Sequence, residues 1–275
     1  MIKVIDIDGL FDKYISDYVY SNVGKASPEE IENKIPELYE KFGDESLNEL
    51  DGKTPNTYYA ETPANELVNV LKQHTQQGVP VSDFLCEALR DNDSENMLVE
   101  ALNDEENEEF TLYVMNILND KGSTKASSRY LDFVLWDYSE TIRELATELL
   151  GEMANLVKDR ILKEFHEVDS VKKACLTEIL SKAEKDDKVF DILIEQFAIH
   201  QDEIPLYAGY LARYGDERAL PFLLTAIENE KLSYSDFNEL KFAIESLGGE
   251  YDKERDFTKD KTYKKIKGID DKAEK

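Results

Sequence analysis

One spacing constrains this chain more than any other feature: apolar residues return every 31 positions. Leu131, Leu162, Leu193 and Leu224 stand on that step, as do their neighbours Tyr130, Ile161, Ile192 and Leu223. A second register, Leu118, Leu149, Leu180, Leu211 and Phe242, keeps the same interval. Val114, Leu145, Leu176 and Tyr207 precede it by one helical turn and share its face. The two registers are offset by 13 residues, room for a short helix and a turn. The repeating unit therefore reads as helix A, turn, helix B. A lone pair leaves its apolar stripe in water, and only stacking against the next pair buries it. The pattern predicts an all-α fold, an α-solenoid of stacked antiparallel helix pairs, with the four leucines of the first register buried in equivalent positions.

A 33-residue step extends the array backwards, matching Val81 and Leu85 to Val114 and Leu118 and Leu98 to Leu131. The predicted pairs are 81–90 with 94–103, 107–119 with 125–137, 140–151 with 155–166, 169–182 with 187–199, and 203–214 with 217–229, followed by a helix at 234–247. Gly122, Gly215 and Gly248 fall where A helices end and a left-handed residue is wanted. Ser139 and Ser233 stand where an N-cap is wanted.

Residues 1–60 do not follow the repeat and are read as an N-terminal helical cap with a long loop, 61–250 as the solenoid, and 251–275 as a charged tail. In the cap, Phe11, Ile15, Tyr18 and Val19 define one amphipathic helix, and Ser27-Pro28-Glu29-Glu30 starts a second whose face is Ile31, Ile35, Leu38 and Phe42. A loop from Gly43 to Thr62 holds Asp51-Gly52-Lys53-Thr54-Pro55 and Tyr58-Tyr59, before a helix at about 63–76. The tail is expected to be disordered or loosely helical, with a self-docking or partner-binding arm as the alternative. Its one basic cluster is Lys261-Thr262-Tyr263-Lys264-Lys265-Ile266-Lys267.

Charge excludes some partners. Lys plus Arg number 33 against 60 Asp plus Glu, a net −27, so a phosphate backbone would be repelled and nucleic acid is not an expected ligand. No apolar stretch is long enough to cross a bilayer, and the opening Met1-Ile2-Lys3-Val4-Ile5-Asp6-Ile7-Asp8 has acids where a signal peptide needs an apolar run. A cytoplasmic protein without membrane partners is expected. Cys86 and Cys175 sit in apolar helical patterns far apart in sequence, as reduced core thiols do.

No constellation for catalysis, metal or cofactor emerges. His74, His166 and His200 are scattered, with no second ligand at metal spacing. Asp91-Asn92-Asp93-Ser94-Glu95-Asn96 has Asn96 where a calcium loop turns on Gly, and Leu102 where it needs Glu; it reads as a polar turn. Asp104-Glu105-Glu106-Asn107-Glu108-Glu109 marks a helix start. Val4-Ile5-Asp6-Ile7-Asp8-Gly9-Leu10 resembles the nucleophile motif of haloacid-dehalogenase-type phosphatases. That family wants Thr or Val where Leu10 stands and a parallel sheet behind it, so Asp6 or Asp8 is read as a helix cap.

One stretch resembles a known repeat. Tyr207-Ala208-Gly209-Tyr210-Leu211-Ala212-Arg213-Tyr214-Gly215-Asp216-Glu217-Arg218-Ala219-Leu220-Pro221 is similar to the HEAT-like repeat named after phycobilisome lyases, with Ala and Leu in helix A, a Gly-Asp turn with Arg-Ala, and Pro near the start of helix B. Ile142-Arg143-Glu144-Leu145-Ala146 with Leu149-Leu150-Gly151 looks like half of another unit. The resemblance implies the solenoid and, as an alternative function, a lyase or chaperone-like activity of the bilin-lyase kind. A tetratricopeptide array would need a 34-residue period and a different signature.

The expected function is that of a non-enzymatic scaffold or adaptor that binds a protein or peptide, of basic character, along the ridge of B helices. Arg129, Phe133 and Trp136 put an interface-like anchor on one stripe, where equivalent sites in other repeats are polar or small. Glu164, Glu167, Asp191 and Glu195 continue that ridge as an acidic track. The pattern names no oligomeric state.

Overall fold

The computed structural model describes residues 2–22, 27–103 and 107–268, which are helical with no strand among them. Asp104, Glu105 and Glu106 of the acidic run and residues 269–275 of the tail lie outside the described residues. The chain divides into two compact units, residues 1–129 and 130–275.

The first unit begins with α1 (Ile7–Asn22), α2 (Pro28–Glu32) and α3 (Ile35–Gly43). Asp6 accepts the Gly9 N–H at 2.8 Å and so caps α1, the role expected of it in place of phosphatase chemistry. The single helix expected from Pro28 to Phe42 is broken into α2 and α3. Pro36 lies in the first turn of α3, and its ring disfavours continuous helix through the residue before it. The stretch from Gly43 to Thr62 is not an open loop. Leu50 and Tyr59 are buried, a turn places Asp51 and Gly52 at positive φ, and Thr54 and Thr57 form a capping box for α4 (Pro55–Tyr58). Phe11 and Phe42 lie 5.2 Å apart, Phe42 and Phe84 6.4 Å, and Tyr39 stacks on Phe84 at 5.1 Å. This aromatic cluster seats the N-terminal helices on the pairs that follow: α5 (Ala64–Gln77), α6 (Asp83–Asp91), α7 (Glu95–Ala101) and α8 (Glu108–Asp120). Lys121 donates to the carbonyls of Arg90 and Asn92, at 2.5 and 2.7 Å, and so closes the C-terminal end of α6.

Helix α9 (Ser127–Leu135) contains the division between the units. The second unit continues with α10 (Glu140–Glu152), α11 (Ala154–Glu164), α12 (Ser170–Leu180), α13 (Asp187–Ile199), α14 (Ile204–Tyr214), α15 (Leu220–Ile227), α16 (Tyr234–Ser246) and α17 (Lys261–Lys267). Ser139 caps α10, and Ser233 forms a capping box with Asp236 at α16. Gly215 and Gly248 take positive φ, as does Gly122 in the first unit. Helix packing follows chain order: α10 lies along α12, α12 on α13, α13 on α14, and α14 along α16.

Two details of register differ from expectation. Leu131 and Leu193 are buried, but Leu162 and Leu224 are half-buried. The fully buried column is the neighbouring one, Tyr130, Ile161, Ile192 and Leu223; the leucines sit at the edge of the buried arc, where each helix's roll decides their exposure. Leu145 is likewise half-buried, beside the buried column Met115, Ala146, Thr177 and Ala208. Phe242 is 66% exposed. From α14 to α16 the buried positions advance by 33 residues, Ile204 to Phe237, Tyr207 to Leu240 and Leu211 to Ile244. Two extra residues turn a helix by about 200°, enough to swing Phe242 out to water.

The turn at Gly215 and Asp216 has a packing role. Arg218 forks onto Asp216 at 2.7 Å, reaches Asp187 at 2.8 Å, and lies 4.3 Å over the Phe190 ring. Tyr214 accepts the Asp186 N–H at 2.6 Å, 28 residues back. The described part of the tail carries the short helix α17, in keeping with the loosely helical expectation, and it packs back on the chain as the self-docking alternative had it. Arg255 donates to the Ile227 and Asn229 carbonyls, both at 2.7 Å, and Phe257 packs 5.2 Å from Phe237, so this segment docks on α15 and α16 as a further pair would.

Candidate functional site

The B-helix surface of the second unit begins at Trp136, which follows α9 and is 52% exposed. Phe133, expected beside it on the surface, is 1% exposed. Its ring lies 4.8 Å edge-to-face from Tyr138 and 6.5 Å from Tyr130. The other repeats carry Glu164, Glu195 and Ala226 at this column and so made it look wet. In α9 the buried arc runs almost round the helix, through Tyr130, Leu131, Phe133, Val134 and Leu135, and takes the aromatic in. Phe133 is core, not anchor.

Arg129 belongs to the first unit, where its Nε donates to the Leu102 carbonyl at 3.0 Å, just past α7. It closes a helix end. Asp132 and Glu164 flank Arg160, whose guanidinium lies 2.8 Å from Asp132 and 2.9 Å from Glu164. The pairing ties α9 to α11 and takes much of the charge of Glu164 out of play. Glu167, Asp191 and Glu195 are exposed, with no cation partner among the described residues. What remains of the expected ridge is one half-exposed indole and three unpaired carboxylates.

The scattered histidines and cysteines each have a local setting. His74 is buried, and its Nδ1 lies 2.8 Å from the Pro80 carbonyl, an oxygen that can only accept, so Nδ1 carries a proton. Its Nε2, the Tyr59 hydroxyl and the Ser82 hydroxyl are buried with no hydrogen-bond partner among the described residues. His166 lies edge-on to Phe165, and His200 stacks on Tyr207 at 4.4 Å. Burial pushes the half-buried Cys86 thiol up to about 12, which leaves it an unreactive core thiol at neutral pH. Among the described residues no three His, Cys, Asp or Glu stand where they could hold a metal ion. No described helix is long and apolar enough to cross a membrane.

A feature the sequence reading passed over lies on the A helices of the second unit. Glu144, Thr147 and Glu148 of α10, Cys175 and Glu178 of α12, and Tyr210 of α14 line a groove of about 260 Å³. It opens where the stack loosens: α12 and α14 pack much less closely than α10 with α12 or α14 with α16. The available signal was the outer face of the A helices, where Glu144, Cys175 and Leu206 fall on the 31-residue step beside Thr147, Glu178 and Gly209.

No family model matches the chain. Nor does any curated protein or solved structure match it.

Proposed function

We propose that the protein is a non-enzymatic scaffold, an α-solenoid of HEAT-like helix pairs whose B-helix side binds a protein or peptide segment of basic character. The observation that carries this reading is Trp136: the chain's one tryptophan stands half in water instead of in a core that has room for Phe133. Trp is enriched among binding hot spots. Glu167, Asp191 and Glu195 lie on later B-helix segments with their charges unspent. The chain-order packing of the helices and the 31-residue spacing support the solenoid.

Trp136→Ala should leave far-UV circular dichroism and the melting curve nearly unchanged. It should weaken binding of a stoichiometric partner, recovered from the native cell, about 30-fold, or about 2 kcal/mol. Glu167→Lys with Glu195→Lys should chiefly slow association at low salt, because exposed charges steer encounter and are screened. A partner held equally well by both variants would overturn the reading.

A further inference from the structure

The groove between α10, α12 and α14 is suited to a ligand of a definite kind. Its three glutamates, Glu144, Glu148 and Glu178, have no cation partner among the described residues, although the same unit pairs Glu164 with Arg160 and Asp216 with Arg218. Tyr210 forms the α14 wall. It is 7% exposed, its ring is held edge-on to Tyr207 at 5.6 Å, and the Arg213 guanidinium lies 5.7 Å over its face. No described residue hydrogen-bonds its hydroxyl, and that hydroxyl is not among the buried unpartnered atoms of the unit, so it is open to a donor that enters the groove. Burial, and then the Glu178 carboxylate, hold that hydroxyl well above its ordinary pKa, so it stays protonated and keeps lone pairs for an N–H donor.

The size and the rim narrow the class further. At about 260 Å³ the groove falls below the roughly 300–1,000 Å³ of small-molecule pockets. It accommodates one long side chain better than a whole metabolite. Val171 and Leu206 are exposed apolar residues, one turn before Cys175 and Tyr210 on the same helices. They extend an apolar margin on which the backbone and neighbouring side chains of a peptide can rest.

We propose that this groove receives the side chain of a lysine or arginine carried on a basic, partly apolar peptide segment of another protein. The methylene stem lies over Cys175 and Thr147, and the cation sits among Glu144, Glu148 and Glu178 with an N–H donated to the Tyr210 hydroxyl. A second copy of this chain is the less favoured occupant. Its one basic cluster, Lys261–Lys267, would have to bring with it a body whose net charge is −27. The inference rests on the scaffold reading for its partner class, but not on the Trp136 surface.

The test uses the full-length protein and a fluorescein-labelled Ala-Leu-Lys-Leu-Lys-Ala peptide, with a copy acetylated at both Nε atoms, by fluorescence anisotropy at low ionic strength. The unmodified peptide should bind and the acetylated one should bind at least tenfold more weakly. Glu148→Gln with Glu178→Gln should weaken binding at least tenfold, and Tyr210→Phe about threefold, with melting curves unchanged in both. Trp136→Ala, measured in parallel, separates the two surfaces: loss there with no loss in the groove variants overturns the groove and leaves the scaffold reading standing. Equal binding of the acetylated peptide, or no binding by the unaltered protein at millimolar peptide, also overturns it. So does a concentration-dependent rise in mass on sedimentation that the double glutamine variant abolishes, which would assign the groove to a second copy.

Discussion

The first unit and the second share one kind of polar tie between successive helix pairs, and differ in what the first adds to it. In residues 130–275 the joints repeat: Arg160 on Asp132, Lys172 on Asp137, Tyr214 on Asp186 and Arg218 on Asp187 are polar ties that each reach back by about one repeat. Residues 1–129 have the same ties, Lys121 on the Arg90 and Asn92 carbonyls, Lys125 on Glu95 and Arg129 on the Leu102 carbonyl, but there the N-terminal helices are also seated by an aromatic cluster around Phe42. A joint used many times can be built from one satisfied pattern. An element used once, like the N-terminal helices, is seated instead by side-chain packing that no repeat dictates.

The largest expected effect breaks the comparison at the cluster. Phe42→Ala removes a fully buried ring and should cost about 3–5 kcal/mol. Trp136 is the chain's one tryptophan and lies in the second unit, so its fluorescence reports that unit while circular dichroism reports both. The urea transition by dichroism should split, with its early part moved and the tryptophan transition held. Coincident movement of both signals would show that the two units melt as one.

Mild acid should act differently on the two units. Backbone N–H groups at helix starts hold Asp169 and Asp186 below the ordinary carboxylate range, and the Arg218 guanidinium does the same first of all for Asp216. A carboxyl with a lower pKa folded than unfolded stabilises the fold above the unfolded value, about pH 4, and that contribution is lost as pH falls through the folded pKa. Asp8, in the first unit, is pushed the other way, by burial first and then by Asp83, Asp6 and Asp12. Its charge opposes folding at neutral pH, and the penalty fades as pH falls through the raised pKa. Between pH 7 and about pH 4 the first unit should gain stability, and below about pH 4 both should lose it, because Glu30, Glu37 and Glu95 of the first unit are held low as well. Melts followed by both signals would show this, and Asp8→Asn should erase the gain. A gain that survives Asp8→Asn assigns the effect to relief of the net negative charge instead.

The smallest effect compares one device in two places. Ser27 caps α2 and Ser233 caps α16, each in a capping box. Helix α2 buries no residue, whereas α16 buries Phe237, Leu240, Ala243 and Ile244. Ser233→Ala should therefore cost about 1 kcal/mol, and Ser27→Ala no more than a few tenths by chemical denaturation. Equal costs would mean that α2 is tied into its unit more firmly than its exposure suggests.

The helix pairs were legible because burial repeats: the 31-residue step places α8 to α16 to within a few residues. Three things were not legible, each for a physical reason. Phe133 was read by its column, but a column averages environments, and only α9 has a buried arc wide enough to enclose that site. Phe242 was read by a constant step, which two added residues before α16 change to 33. The groove depends on how far α12 and α14 stand apart, a quantity set by packing and written in no single residue.

The polar ties also have a direction. Arg160, Lys172, Tyr214, Arg218 and Arg255 each secure a turn or a helix segment that precedes them, whereas the turn at 184–186 is also held from earlier in the chain, by Asn155 and Lys158. On a ribosome that order means a newly made turn is provisional wherever its tie comes later. At about 5–20 residues per second it waits on the order of 2–6 seconds for the residue that will fasten it. The last turn of the nascent second unit waits for the segment beyond it, where Arg255 takes the Ile227 and Asn229 carbonyls and Lys253 pairs with Glu228.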